Sequence, residues 1–463
     1  MRKLCVIKAG SAVVTTADGY LDPVAIENLF RQIALIHRNN WSLVLVTSGA
    51  VASGRGFLLK QLGQERLTKA SLTPRSYAAL GQSRLLTFYT TMLERYNATL
   101  YPAQVLVTRE AFSVRERYTA LRETLNEMLV NDILPVINNN DVVSVSRLDF
   151  RDNDHLAAYI AGMLDADMLI LLSDVDGLYT DNPKMNPHAR RISNLPGDPE
   201  SWPEVRIDDS RSSAGGMTSK LGALRLMASL GIPSCIVPGH TSNALEKVLI
   251  AEDRSVGTFT EHRERTLGKY QRWLATGAIP SGTILVSNLG SDALRRRKHR
   301  ASLLAAGVEG VYGKFERDSI VAIRDENFEL LGIGRTRFAA NELRSEAPRL
   351  AEATVVHANY FLQRTDALLP NTEKPIIEAS AERWRSLGFT CFRTTQPRKS
   401  ITIFKGEKKG EKKERIAYKT LGETDATDLF RRARIASEKL GVTVENWILY
   451  DLLEGRDPAP HGD

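Results

Sequence analysis

The sequence predicts a three-layer α/β/α sandwich around a mainly parallel sheet, followed by a small, mostly β domain and a C-terminal α+β segment. Three observations carry this. Over the first 260 residues, short runs of near-continuous apolar character alternate with helix-period segments, the pattern of a parallel sheet covered on both faces. Near residue 260 the polar stretch Glu261-His-Arg-Glu-Arg265 interrupts that pattern, and only short runs separated by turn residues follow. At 463 residues the chain is also too long for one hydrophobic core.

In chain order, Leu4–Lys8 and Leu43–Thr47 read as buried strands, being short, rich in β-branched residues and ended by glycine-containing turns. Between them Ile26, Leu29, Phe30, Ile33 and Ile36 recur at helical spacing. Ile133–Asn138, Met168–Ser173 and Ile232–Val237 are further buried strands. Residues 1–260 therefore form one domain. Thr283–Ser287, Gly310–Tyr312, Ser319–Ile323 and Leu330–Ile333 define a second, over residues 270–345. In residues 350–463, Ser400–Phe404 and Arg415–Lys419 alternate like two hairpin strands, joined by the charged stretch 405–414. A helix from Asp425 or Asp428 to Leu440, capped by Gly441, follows. This last segment has no assigned role, and an interaction or regulatory module is the expectation.

Composition excludes several classes. Hydrophobic residues at 43% and charged residues at 25% are those of a soluble globular protein. No apolar run reaches the ~20 residues of a membrane span. The N-terminal residues enter a strand directly, without a signal-like apolar core, so a cytoplasmic location is expected. Cys5, Cys235 and Cys391 lie too far apart for a CxxC site, and the histidines are scattered, so no metal site is expected. A net charge of +7 permits a nucleic-acid partner without demanding one.

In parallel sheets, ligands bind beyond the carboxyl ends of the strands, and polar residues gather there. Lys8-Ala-Gly-Ser11 follows the first strand and Thr47-Ser-Gly-Ala50 the second. Asn138-Asn-Asn-Asp141 ends the strand at 133, with Asp152-Asn-Asp154 a loop later, and Ser173-Asp-Val-Asp-Gly177 ends the strand at 168. Ala214-Gly-Gly-Met-Thr-Ser-Lys220 precedes the helix-period run Leu221, Leu224, Met227, Leu230. A glycine turn opening a helix presents unpaired N–H groups and the positive end of the helix dipole to a phosphate. Taken singly, each element reads as a turn, a helix cap or a solvated lysine. Together on one sheet edge they suit nucleotide-dependent phosphoryl transfer, whose catalysis is mainly positioning and positive charge. Lys8 and Lys220 supply that charge, and Asp154 is a candidate anchor for both. Neither a P-loop nor the HRD and DFG signatures of protein kinases occur.

These stretches, with Leu80-Gly-Gln-Ser-Arg84 and Asp174-Val-Asp-Gly-Leu-Tyr179, occur in the order and spacing of glutamate 5-kinases, and the first 260 residues resemble that branch of the amino acid kinase family. The resemblance implies ATP-dependent phosphorylation of the γ-carboxylate of L-glutamate, the first step of proline biosynthesis. Lys8 and Lys220 would stabilise the transferring phosphoryl group and Asp154 would orient them. Ser48, Gly49, Asp141 and Asn153 would bind glutamate. Lys8, Ser173, Asp174 and the segment Ala214, Gly215, Gly216, Met217, Thr218, Ser219, Lys220 would line the ATP site. Magnesium would arrive with ATP. Feedback inhibition by proline and a dimer or tetramer are implied as well.

Arg272-Trp-Leu, Ser281–Leu285, Leu303–Gly307 and Val311–Phe315 resemble a PUA domain. PUA modules elsewhere bind RNA, and Arg295-Arg-Arg-Lys-His-Arg300 is a basic cluster; because the family's activity requires no RNA, a solvated helix end is the favoured reading. The chain also departs from the family. Asn139 stands where members usually carry glutamate, Arg151 where they carry glycine, and Ala214 in the glycine turn where they carry threonine. Weakened rather than abolished activity is expected. The alternatives are a kinase for another small acid, or a nucleotide-dependent or RNA-binding regulator.

Overall fold

All five apolar runs lie in one sheet. Its strands are drawn from β1 (Lys3–Ala9), β2 (Trp41–Thr47), β3 (Tyr101–Val107), β4 (Ile133–Asn139), β5 (Met168–Ser173), β8 (Asn194–Leu195), β9 (Ser234–Pro238) and β10 (Thr258–Thr260), while β6 (Leu178–Tyr179) and β7 (Arg191–Ile192) form a separate two-stranded ribbon. The order is β3-β4-β2-β1-β5-β9-β10-β8, parallel from β3 to β9. β10 runs antiparallel to β9. This computed structural model describes residues 2–69, 72–96, 99–143, 152–183, 185–203, 205, 216–261, 264, 267–295, 301–325, 330–346, 352–363, 389–392, 402–405 and 415–417.

Helices connect the strands: α1 (Ser11–Val14), α2 (Pro23–Arg38), α3 (Ala50–Lys69), α4 (Pro74–Tyr96), α5 (Glu110–Ser113), α6 (Arg115–Val130), α7 (Asn153–Leu164), α8 (Met217–Leu230), α9 (Ala244–Leu249) and α10 (Lys269–Thr276). α2 starts where Asp22 accepts hydrogen bonds from Val24 N and Ala25 N, with Pro23 in the first turn, a combination that satisfies free N–H groups. Its apolar stripe of Ile26, Leu29, Phe30, Ile33 and Ile36 is buried with Cys5, Ile7 and Ala9 of β1 and with Tyr89 and Leu93 of α4. The opposite face of the sheet receives α6, α7 and α8. Both faces are thus covered, which is why successive residues Cys5, Val6 and Ile7 are all fully buried.

Two strands carry no plain sequence signal. β3 is the edge strand; Pro102 and Gln104 interrupt its apolar character, and Tyr101 and Leu106 are exposed. Proline is tolerated at an edge because the missing N–H costs no ladder bond there. β10 is only three residues long. The strand expected at Ile232–Val237 begins two residues later, at Ser234.

The chain divides into two compact units at Ala278 and Ile279. α10, which carries Arg272-Trp-Leu, packs within the first: Trp273 Nε1 donates to Phe112 O at 2.9 Å, and Arg272 pairs with Asp165. In the second unit lie β11 (Gly282–Val286), α11 (Asn288–Arg295), β12 (Leu303–Leu304), β13 (Val308–Gly313), β14 (Ile320–Arg324), β15 (Leu330–Thr336), α12 (Ala340–Glu346) and β16 (Thr354–Gln363). Their sheet has the order β12-β16-β15-β14-β11-β13. β16 enters its middle, so the sheet extends past residue 345, where the sequence suggests an end. β17 (Phe389–Phe392), β18 (Thr402–Lys405) and β19 (Arg415–Ala417) form a three-stranded sheet, and β18 pairs antiparallel with β19 as a hairpin would. The expected helix to Leu440 and its Gly441 cap lie outside the described residues.

Candidate active site

The centre of the site is an ion cluster built from three distant segments. Lys8 comes from the carboxyl end of β1, Asp154 from the first turn of α7 and Lys220 from the first turn of α8. Lys8 Nζ stands 2.7 Å from Asp154 Oδ1, and Lys220 Nζ donates to Asp154 Oδ2 at 3.1 Å. Asp154 is 0% exposed, Lys8 4% and Lys220 7%. Two ammonium groups therefore share one buried carboxylate, whose charge cannot neutralise both. Burial is the main cause pushing the Lys8 ammonium below the ordinary lysine value; Asp154 opposes the shift and Lys220 adds to it. Gly10 makes room for this arrangement, since a Cβ there would lie 2.6 Å from Lys8 Nζ.

Asp154 is fixed by its helix start. Asp152 caps α7, accepting from Asp154 N at 2.9 Å and His155 N at 3.1 Å. Burial alone would raise the Asp152 carboxyl, but hydrogen bonds from the His155 and Ser219 side chains and the His155 backbone outweigh it and hold the group well below the usual carboxylate range.

A second network, built mainly on side-chain amides, lies alongside. The Asn153 side-chain amide donates to Thr47 O at 2.9 Å, Ser48 Oγ at 2.9 Å and Asn138 Oδ1 at 3.1 Å. It thereby ties together the ends of β2 and β4 and the start of α7. Asn138 Nδ2 donates in turn to Gln82 Oε1 at 3.2 Å, and Asn139 Nδ2 to Asp141 Oδ1 at 3.2 Å. Gly49, between β2 and α3, has φ of +109°, a backbone region that excludes most side chains. The Gln82 contact depends on close packing of α3 on α4. A Cβ on Gly81 would lie 1.9 Å from Ala50 O, and one on Gly54 would lie 2.0 Å from Tyr77 O.

The remaining expected site residues follow the same strand ends. Ser173 is buried at the end of β5, and its Oγ donates to Asp174 Oδ1 at 3.4 Å. Gly216 is the N-cap of α8 and offers no side-chain cap, and Met217, Thr218 and Ser219 form the first turn with Lys220. Ala214, Gly215 and Arg151 lie outside the described residues, as do residues 296–300 of the basic cluster. Gln82 contacts Asn138 and His155 contacts Asp152, and sequence reasoning assigns neither a role. Gln82 lies in the Leu80-Gly-Gln stretch, and His155 directly follows Asp154. Among the described residues no group of three or more histidine, cysteine or acidic side chains could hold a metal ion.

Residues 3–238 match the amino acid kinase family and residues 284–355 the PUA domain. The chain is 34% identical to the glutamate 5-kinase of Streptococcus sanguinis over 376 residues, covering 79% of this chain and 97% of that protein. It is 37% identical to the glutamate 5-kinase of Thermus thermophilus over 358 residues, covering 76% and 92%. The chain belongs to the glutamate 5-kinase family. Among solved structures it is similar to a carbamate kinase from Giardia lamblia bound to AMP-PNP, at 18% identity and a TM-score of 0.41, covering 57% of this chain and 99% of that one. It is also similar to isopentenyl phosphate kinase, at 22% identity and a TM-score of 0.40, covering 56% and 100%. In this family member, the buried lysines and the amide network stand at the carboxyl ends of β1, β2 and β4 and at the starts of α7 and α8.

Proposed function

We propose that the chain transfers the γ-phosphoryl group of ATP to the γ-carboxylate of L-glutamate, giving γ-glutamyl phosphate and ADP, the first step of proline biosynthesis. The observation that carries this reading is the pair of buried ammonium groups held on one carboxylate. A glutamate carboxylate, with an ordinary pKa of about 4.3, is already ionised at neutral pH and needs no base. Its oxygen attacks the γ-phosphorus, the bond to the β–γ bridging oxygen breaks, and ADP leaves with the electron pair. Negative charge spreads over the phosphoryl oxygens as this happens. Lys8 and Lys220 meet that charge from a site with little water, where each is worth more than in solution. Asp154 positions the two ammonium groups and takes no proton.

Glutamate binds on the amide side of the site. Ser48, Gly49 and Asn153 offer hydroxyl, backbone and amide groups, and Asp141 offers the negative charge that a free α-ammonium needs. ATP lies against Lys8, Ser173, Asp174 and the segment from Ala214 to Lys220, with its phosphates at the uncapped start of α8. Magnesium, bound to the ATP phosphates, supplies further charge neutralisation. The same reading includes inhibition by proline, assembly as a dimer or tetramer and a cytoplasmic location; no described helix is long and apolar enough to cross a membrane. RNA binding through the second unit is not part of it.

The test is an ATP-dependent hydroxamate assay, in which hydroxylamine traps the acyl phosphate. Purified protein with ATP, magnesium and L-glutamate is expected to give γ-glutamyl hydroxamate, and aspartate, acetylglutamate or carbamate little product. Product with another acid and none with glutamate would overturn the substrate assignment.

A further inference from the structure

Asp154 and Lys220 belong to different helices, so their contact depends on how α7 is held against α8. A polar bridge lies at the same end of the pair. His155 Nδ1 is 3.3 Å from Asp152 Oδ1 and 3.1 Å from Ser219 Oγ, and the Ser219 hydroxyl also hydrogen-bonds the Asp152 carboxylate. Three side chains thus close a triangle across the two helix starts, one residue away from Asp154 on one helix and from Lys220 on the other. The ring has room because α8 carries no side chain beneath it: a Cβ on Gly222 would lie 3.2 Å from His155 Nε2. Further along, Gly162 of α7 lets α8 approach in the same way, with a Cβ there falling 2.9 Å from Leu230 Cδ1.

The direction of the hydrogen bonds is fixed by chemistry. An ionised Asp152 only accepts, so the Ser219 hydroxyl donates its proton to Asp152. The Ser219 oxygen then accepts from His155 Nδ1, which carries the ring proton. The Ser219 hydroxyl proton is thus spent within the protein, leaving none to donate to a phosphate oxygen, one position from Lys220.

We propose that His155 and Ser219 are positioning residues, clamping the start of α8 to the Asp152 cap of α7 so that Lys220 is held on Asp154 for phosphoryl transfer. This rests on the kinase reading and reassigns Ser219 from nucleotide ligand to interhelical bridge. A group that only orients the lysine affects the transition state more than ground-state ATP binding, so its loss lowers kcat rather than raising KM.

The experiment is steady-state kinetics on the full chain, with wild-type hydroxamate formation measured first. Absence of product from the wild type would count against the kinase reading, a failure distinct from that of the clamp, which is read from the variants. Ser219→Ala and His155→Ala are each expected to lower kcat about tenfold, the loss of roughly one hydrogen bond to a charged network, with KM for ATP within about twofold. The double variant should be no more than about twofold slower than the worse single one, because both changes open the same bridge. His155→Asn should recover most of the activity, its side-chain amide nitrogen replacing Nδ1, and Ser219→Thr should retain it. If His155→Ala does not fold, the Ser219 pair decides. A raised KM for ATP with unchanged kcat in Ser219→Ala would return the hydroxyl to the nucleotide and overturn the proposal. So would multiplicative losses in the double variant, or His155→Asn as slow as His155→Ala.

Discussion

Gly81 of α4 meets Gly54 of α3 so closely that a methyl group on Gly81 would lie 2.4 Å from Gly54 N. The two helices touch backbone to backbone at this crossing, and the contact delivers Gln82, the next residue, to Asn138. Gly81→Ala must therefore separate α3 from α4. The expected cost is about 1–3 kcal/mol or more, read as a lower Tm, with KM for glutamate rising as the Gln82–Asn138 bond is lost. Gly63→Ala, at a position with open space but a φ of +72°, should cost only the backbone strain and leave KM unchanged.

The two lysines and their carboxylate should behave as opposites. Lys8→Met or Lys220→Met removes charge used at the transition state while the other ammonium still pairs with Asp154. kcat should fall about 10²–10³-fold in a protein that remains folded by circular dichroism. Asp154→Asn leaves both buried ammonium groups without their shared partner, and breaking such a pair costs about 3–5 kcal/mol. Here thermal melting, more than kinetics, is the informative measurement.

The lowered Lys8 ammonium gives two pH trends of opposite sign. The protonated form is the active one, so kcat should decline as pH rises through a value below the ordinary lysine range. Over the same window the unfolded chain binds the proton that the folded chain has released, so folding stability from this group rises with pH. Activity that falls while Tm holds or rises is the expected signature; a parallel fall of both would assign the alkaline limb to unfolding.

Asp152 works in the acid range. Its carboxyl titrates lower folded than unfolded, so its contribution to stability is complete above the unfolded value of about 3.9 and is lost as pH falls toward the folded one. Asp152→Ala should cost about 1–2 kcal/mol at neutral pH, as loss of a good cap does. Denaturant titrations should show that difference shrinking below about pH 4.

Asn153→Ala removes the amide that joins Thr47 O, Ser48 Oγ and Asn138 Oδ1. An increase of roughly tenfold in KM for glutamate is expected, equivalent to one or two hydrogen bonds, with KM for ATP little changed. Equal effects on both substrates would place Asn153 outside the glutamate side.

How much of the molecule is legible in its sequence depends on how local each signal is. β1, β2, β4 and β5 are legible because burial on both faces demands continuous apolar runs. Lys8, Asp154 and Lys220 are legible because a lysine beside a small-residue loop, or an aspartate beside a helix cap, marks a strand end. β3 is hidden because an edge strand need satisfy only one neighbour, and Pro102 costs nothing there. The triangle of Asp152, His155 and Ser219 is hidden for a different reason. Nothing local distinguishes a histidine that bridges two helices from one that faces water, and the partner lies far along the chain. Gln82 can be read as part of a motif, but its bond to Asn138 depends on a helix crossing that no periodicity records.

The position of β1 has a consequence for how the chain is made. This strand precedes every other strand of its sheet in the chain, yet it lies in the interior of the sheet between β2 and β5. Pairing with β2 becomes possible early, but the other edge stays bare until Met168–Ser173 has emerged, and Lys220 comes only after that. During synthesis a hydrophobic strand edge, with Lys8 at its end, is therefore exposed while more than a hundred further residues are added. Long-range pairing of this kind is slow and open to aggregation. A nascent chain of this enzyme should thus depend on ribosome-associated chaperones well before it can bind either substrate.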